Sequence, residues 1–130
     1  MVDSMHEYSV MTQVVKVADM EARRHGAKKV YSITLEIGEL TLLLKPQLEF
    51  AFEVLREGTL LENADIIFKD VKARVRCPQC GREYTMKDLD LKEGSSYYAH
   101  FVPLVCPECH KKMDVVKGKE FTIKEMKMEI

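Results

Sequence analysis

No stretch of this 130-residue sequence approaches the roughly eighteen consecutive apolar residues needed to cross a bilayer. Its start, Met1-Val2-Asp3-Ser4-Met5-His6-Glu7, has neither the basic region nor the apolar run of a signal peptide. A soluble, cytoplasmic protein with no membrane partner is therefore expected. An excess of one charge is also missing: 20 Lys and Arg stand against 21 Asp and Glu. Domains recruited to nucleic acid by bulk charge are strongly basic, so nucleic acid is not an expected partner. Neither Gly-x-x-x-x-Gly-Lys nor Gly-x-Gly-x-x-Gly occurs, so nucleotide chemistry by those phosphate-cradling loops is excluded. There is no Gly-x-Ser-x-Gly elbow for a nucleophilic serine. His6-Glu7 opens a His-Glu-x-x-His pattern, but Val10 stands where the second histidine belongs, which removes the metalloprotease reading. These absences narrow the chemistry open to the chain. With 46% hydrophobic and 32% charged residues the chain is globular in composition, and it is long enough to hold a core without disulfides.

What is present is a pair of pairs of cysteine. Cys77-Pro78-Gln79-Cys80 and Cys106-Pro107-Glu108-Cys109 hold all four cysteines of the chain. A two-residue gap lets a tight turn bring two sulfurs to one cation, and a second such turn completes a tetrahedron. Pro78 and Pro107 stiffen the two knuckles at the same place, and Gly81 suits the exit of the first. The pattern is that of a zinc ribbon, with structural zinc on Cys77, Cys80, Cys106 and Cys109; iron in a rubredoxin-like site is the competing metal. A closed four-thiolate site leaves no open coordination position, so its metal is structural and not catalytic. It also leaves no free nucleophilic cysteine.

The periodicities sketch an α+β fold: two helices on a small β-sheet, with a β-rich zinc ribbon inserted. Ser4 and Glu7 fit a capping box, and Val10, Met11, Val14, Val17 and Ala18 recur at helical spacing, which places a helix near 5–25 with Gly26 as its stop. Tyr31, Ile33, Leu35 and Ile37 alternate with polar residues in a strand over 29–38. Pro46 opens a second helix whose inner stripe is Leu48, Phe52 and Leu55, ending at Gly58. A strand over 66–76 changes phase, which predicts a β-bulge near Lys69 and Asp70. Between the knuckles, residues 83–86 and 97–105 read as strands. Residues 121–130 read as a last strand, again with a phase slip, returning to the first sheet. The expected domains are 1–75 plus 118–130, and a zinc ribbon at 76–117.

Several motifs taken in order resemble those of the HypA family of nickel-insertion proteins for [NiFe]-hydrogenase. Met5-His6-Glu7 is similar to the family's N-terminal Met-His-Glu. Ile37-Gly38-Glu39-Leu40 matches its Ile-Gly-x-Leu after the first strand. Leu48, Phe50-Ala51-Phe52-Glu53 and Gly58-Thr59 resemble its second helix and the turn that follows, and Glu62-x-Ala64 and the paired cysteines complete the series. The resemblance implies a metallochaperone that delivers Ni(II) to the hydrogenase large subunit with a HypB-type GTPase, the nucleotide chemistry belonging to that partner. It also implies transported nickel at the Met-His-Glu segment. His6 would supply an imidazole, the backbone nitrogens of His6 and Glu7 would join it, and Glu7 would lie beside it. Such a nitrogen-rich donor set suits square-planar Ni(II). Here Met1 to Ser4 precede the motif; with them in place Met5 has no free amine and the chelate loses one donor, which leaves three readings: a working start at Met5, a substitute donor such as Asp3, or weakened nickel binding.

The remaining histidines have plainer expectations. His25 reads as a cation at a helix end, His110 as a hydrogen-bond donor to a thiolate, and His100 as a packing residue or an exchanged nickel ligand. Met11, Met20, Met126 and Met128 read as core or edge fillers. The alternative function is a zinc ribbon that binds protein or nucleic acid without nickel. It rests on Lys69, Lys72, Arg74, Arg76, Arg82 and Lys87 near the first knuckle, which a solvated face explains equally well.

Overall fold

The computed structural model describes residues 2–89 and 104–130, with side chains from His6 onward. The chain folds as two units, each built from separate stretches of sequence.

The first unit comprises Met1–Glu36, Leu43–Lys69 and Thr122–Ile130. Helix α1 spans Val2–Arg24 and helix α2 spans Lys45–Leu55. Met11, Val14, Val15, Ala18 and Ala22 form the buried stripe of α1, and Leu48, Ala51 and Phe52 that of α2. Both follow the i, i+3, i+4 rule that gives a helix one apolar face. Helix α1 ends in a Schellman turn: Gly26 takes φ +74°, its N–H reaches the Arg23 carbonyl at 3.0 Å, and the Ala27 N–H reaches Ala22 at 3.0 Å. Gly26 is thus the stop that the sequence indicated.

Strands β1 (Lys29–Gly38), β2 (Asp65–Val71) and β6 (Phe121–Glu129) form one sheet in the order β2-β1-β6. The last strand therefore returns to the first sheet, as its sequence indicated. The Lys28 N–H donates to the Glu129 carbonyl and the Gly38 N–H to Glu120, each at 2.7 Å, so β6 runs antiparallel to β1. The phase slip in β6 is visible in its burial: Phe121 and Ile123 are half-buried, Lys124 and Glu125 are both exposed, and Met126 and Met128 are half-buried again.

The second unit comprises Ile37–Leu42 and Asp70–Phe121. Its sheet is β4-β3-β5, from Arg74–Arg76 (β3), Glu83–Thr85 (β4) and Asp114–Lys117 (β5), with β3 antiparallel to both neighbours. The core gathers Leu40, Ala73, Val75, Met86 and Met113 around Cys77 and Cys106. A single 3-10 turn at Glu39–Thr41 carries Leu40 into this core. That segment is held by the Glu39 carboxylate, which accepts the Ala73 N–H at 2.7 Å, and by the Leu40 N–H on the Gly118 carbonyl at 2.7 Å.

Several expectations need correction. The expected strand over 66–76 is two strands in two different sheets. Its phase change falls inside β2, where Lys69 and Asp70 are both exposed between half-buried Phe68 and Val71, and the change of sheet comes after it, at Lys72 and Ala73. Ser4 lies inside α1, so it cannot be the non-helical N-cap that a capping box requires. Val17 and Met20 are 51% and 60% exposed, so they do not join Met11 in the core. Strand β5 was not foreseen, and residues 90–103, which hold the expected 97–105 strand up to Pro103 as well as His100, lie outside the described residues. The two units also cut the chain differently from the expected domain bounds, because 37–42 and 70–75 pack with the cysteine-bearing unit.

Candidate metal centre

Both cysteine knuckles are built the same way. The Cys77 N–H donates to the Arg82 carbonyl and the Cys106 N–H to Lys111, each at 2.9 Å. The Gly81 N–H closes back on the Cys77 carbonyl and the His110 N–H on Cys106, also at 2.9 Å. The Cys80 N–H points at Cys77 Sγ and the Cys109 N–H at Cys106 Sγ, both at 3.5 Å. The residue leaving each knuckle takes a left-handed conformation, Gly81 at φ +76° and His110 at φ +58°. Cys77 and Cys106 are fully buried, Cys109 is half-buried and Cys80 is exposed.

These turns bring the four sulfurs within 4.8 Å of one another. Cys80 Sγ and Cys106 Sγ lie 3.9 Å apart. A tetrahedral ion with sulfur ligands at about 2.3 Å requires sulfur–sulfur edges of about 3.8 Å. The donor set and its spacing therefore fit a closed tetrahedral thiolate site. Four anionic sulfurs this close cannot all stay ionised without a cation, and the thiols show it. The Cys109 N–H, chiefly, lowers the Cys106 thiol to about 6, with burial opposing and the Glu108 N–H and Tyr84 assisting. Its neighbour Cys109 is pushed up to about 12, first by its hydrogen bond with Cys80 and then by burial and Cys77.

Tyr84 on β4 lies beside the cage, its hydroxyl 3.8 Å from Cys106 Sγ. Arg82 reaches from the first knuckle to Glu108 in the second, Nη1 to Oε1 at 3.1 Å. Neither residue carries a metal-ligand motif, so spacing alone did not single them out. The signal that was available is parity: residues 82 and 84 share a face of an extended segment.

The N-terminal pair is arranged differently. His6 is exposed on α1, whereas Glu7, one residue and about 100° further around the helix, is only 1% exposed. Glu7 Oε2 accepts the Leu44 N–H at 2.8 Å, at the residue that caps α2. A carboxylate there is favoured by the helix dipole and joins α1 to α2. Glu7 Oε1 is buried with no partner among the described residues. In the helical state the two side chains point apart. His25 does sit at the end of α1, its Nε2 3.2 Å from Glu21 Oε1.

The family model described as hydrogenase/urease nickel incorporation, metallochaperone, hypA, matches residues 5–128. The chain belongs to the HypA family. It is similar to the hydrogenase maturation factor HypA of Methanosarcina mazei, 33% identical over 129 residues, covering 96% of this chain and 93% of that protein. It is similar to the factor of the same name from Methanocella arvoryzae at 34% identity, covering 97% of this chain and all of the relative. Two solved structures share the fold. The solution structure of the Ni metallochaperone HypA from Helicobacter pylori aligns with a TM-score of 0.66 at 26% identity, over 95% of this chain and 97% of that one. A second solution structure of a HypA protein aligns with a TM-score of 0.68 at 27% identity, over 95% and 96%. HypA membership agrees with the motif series read from the sequence, from Met5-His6-Glu7 to the second knuckle. Among the described residues no helix is long and apolar enough to cross a membrane.

Proposed function

We propose that this HypA-family chain is a non-enzymatic nickel carrier. It takes Ni(II) at its N-terminal segment and hands it to the [NiFe]-hydrogenase large subunit in the cytoplasm, working with a HypB-type GTPase. The four thiolates of Cys77, Cys80, Cys106 and Cys109 hold structural zinc. The observation that carries the reading is the near full-length family match combined with a division of chemistry along the chain. A closed thiolate cage stands in one unit, and an exposed imidazole, His6, in the other. The division of domains follows: a nickel-binding α+β unit and a zinc unit. Nucleic acid and membranes are not partners. Two of the basic residues near the first knuckle are already paired, Arg74 with Glu83 and Arg82 with Glu108.

The helix constrains how nickel is taken. Because α1 begins at Val2, the N–H groups of His6 and Glu7 fall within its ladder of i to i−4 hydrogen bonds. An amide nitrogen cannot serve that ladder and a metal together. Ligation by His6 and Glu7 nitrogens therefore requires the first turn to open. Two terminal hydrogen bonds are lost, each worth about 1 kcal/mol, at a helix end where fraying is cheapest. The Glu7 carboxylate on Leu44 limits the opening to the residues before it.

Titration calorimetry on the zinc-loaded chain tests this reading. One nickel per chain, lost on His6→Ala, is the expected result. A chain shortened to start at Met5 gains an amine donor and binds nickel more tightly. Absence of nickel binding in both the full and the shortened chain would overturn the carrier reading.

A further inference from the structure

We propose that Tyr84 is a positioning residue of the metal centre, its hydroxyl donating to the Cys106 thiolate, while Arg82 ties the two knuckles together through Glu108 and sets its charge beside them. The proposal rests on the four-thiolate site read above. The backbone treats the two knuckles alike, with one N–H aimed at Cys77 Sγ and one at Cys106 Sγ. Tyr84 breaks that symmetry by placing its hydroxyl 3.8 Å from Cys106 Sγ. The direction of the bond follows from the chemistry. A metal-bound sulfur carries no proton, so the phenol must donate.

The placement of these residues is set by the fold. Tyr84 pairs with Val75 across the β3–β4 ladder and is half-buried against the core that contains Cys77 and Cys106. Its ring cannot swing away without uncovering that core. Arg82 lies two residues earlier and bonds Glu108, which sits between the two cysteines of the second knuckle. One residue thus grips the second knuckle from outside while its neighbour on the same face supplies a donor to its buried sulfur. A divalent ion with four thiolates carries two net negative charges. The guanidinium and the phenol dipole offset part of that charge on the side where Cys106 is buried away from water. Partners of this kind, one bond removed from the metal, orient ligands and tune them, and losing one typically costs 10- to 100-fold in metal affinity.

The test is cobalt substitution and zinc exchange in the full chain, comparing wild type, Tyr84→Phe and Arg82→Gln. Tyr84→Phe keeps the ring and removes only the hydroxyl. A thiolate that loses a hydrogen bond has a higher-energy lone pair. The sulfur-to-cobalt charge-transfer band should therefore move to longer wavelength, and zinc should pass to a chelator about 10-fold faster. Arg82→Gln should shift the band in the same direction by less, because the phenol remains. A band at the wild-type energy in Tyr84→Phe, with unchanged exchange, overturns the proposal, since a packing role alone moves neither. If Tyr84→Phe does not fold, an unshifted band in Arg82→Gln overturns the part given to Arg82 and with it the proposal. A wild-type chain that gives no four-thiolate cobalt spectrum overturns the metal-centre reading itself, a different result from an unshifted variant.

Discussion

Gly38→Ala is the substitution for which sequence and structure predict opposite signs. Gly38 sits at φ −76° and ψ 145°, extended backbone that alanine adopts freely. On backbone grounds alone the change should stabilise the chain by about 0.4–1 kcal/mol, through the lost freedom of the unfolded state. The tertiary contact reverses this. A Cβ on Gly38 would land within the Gly118 carbonyl and 2.7 Å from the Glu120 nitrogen. Both are backbone atoms with no flexible end to give way. Two hydrogen bonds hold that approach, Gly38 N–H to Glu120 and Leu40 N–H to Gly118, each 2.7 Å. Retreat by about 1 Å would stretch both beyond hydrogen-bond range. Each bond left unmade in a buried segment costs about 1–3 kcal/mol, so the expected loss is about 2–6 kcal/mol. Against a total stability of about 5–15 kcal/mol that is a large fraction. Denaturant titration of the zinc-loaded chain, followed by circular dichroism, should show a lower midpoint. A variant as stable as wild type, or more so, would refute the close approach of Gly118.

The other predictions concern the knuckles. His110 occupies the left-handed position that glycine fills after Cys80, so His110→Gly should raise the melting temperature of the metal-free chain, equivalent to a gain of about 0.5–1 kcal/mol. A lowered melting temperature would show that the His110 ring, not its backbone, matters. The metal-free chain should also gain stability as pH rises from about 6 toward 9. Cys106 is held ionised near 6 when folded against 9.0 unfolded, so its contribution is present at high pH and lost as pH falls through 6. Cys109, raised to about 12, acts in the opposite sense, and stability should fall again from 9 toward 12. Melting curves across this range check both limbs. The zinc-loaded chain should gain stability more steeply still from 6 to 9, because metal keeps all four sulfurs ionised when folded while the unfolded thiols take up protons below about 9.

Much of this protein is written locally. The two Cys-x-x-Cys turns, the Gly26 stop, the alternation of β1 and the apolar stripe of α2 each depend on residues within one or two turns of chain. Short-range sterics and periodicity therefore expose them in the sequence. The ordered motifs were likewise enough to indicate the HypA family. Other features depend on partners far apart in sequence. The phase change after Phe68 was legible, but that the chain then leaves for a second sheet at Lys72 and Ala73 depended on which strands lay alongside. Glu7 carries a capping-box signature, yet its side chain is committed to Leu44, 37 residues on. Leu40 reads as part of a loop motif and becomes core beside Cys77 and Cys106. Arg82 and Tyr84 gain significance only because the second knuckle folds against the first. Local sequence sets which conformations are cheap; burial and long-range hydrogen bonding select among them, and those energies exist only once the distant partners have met.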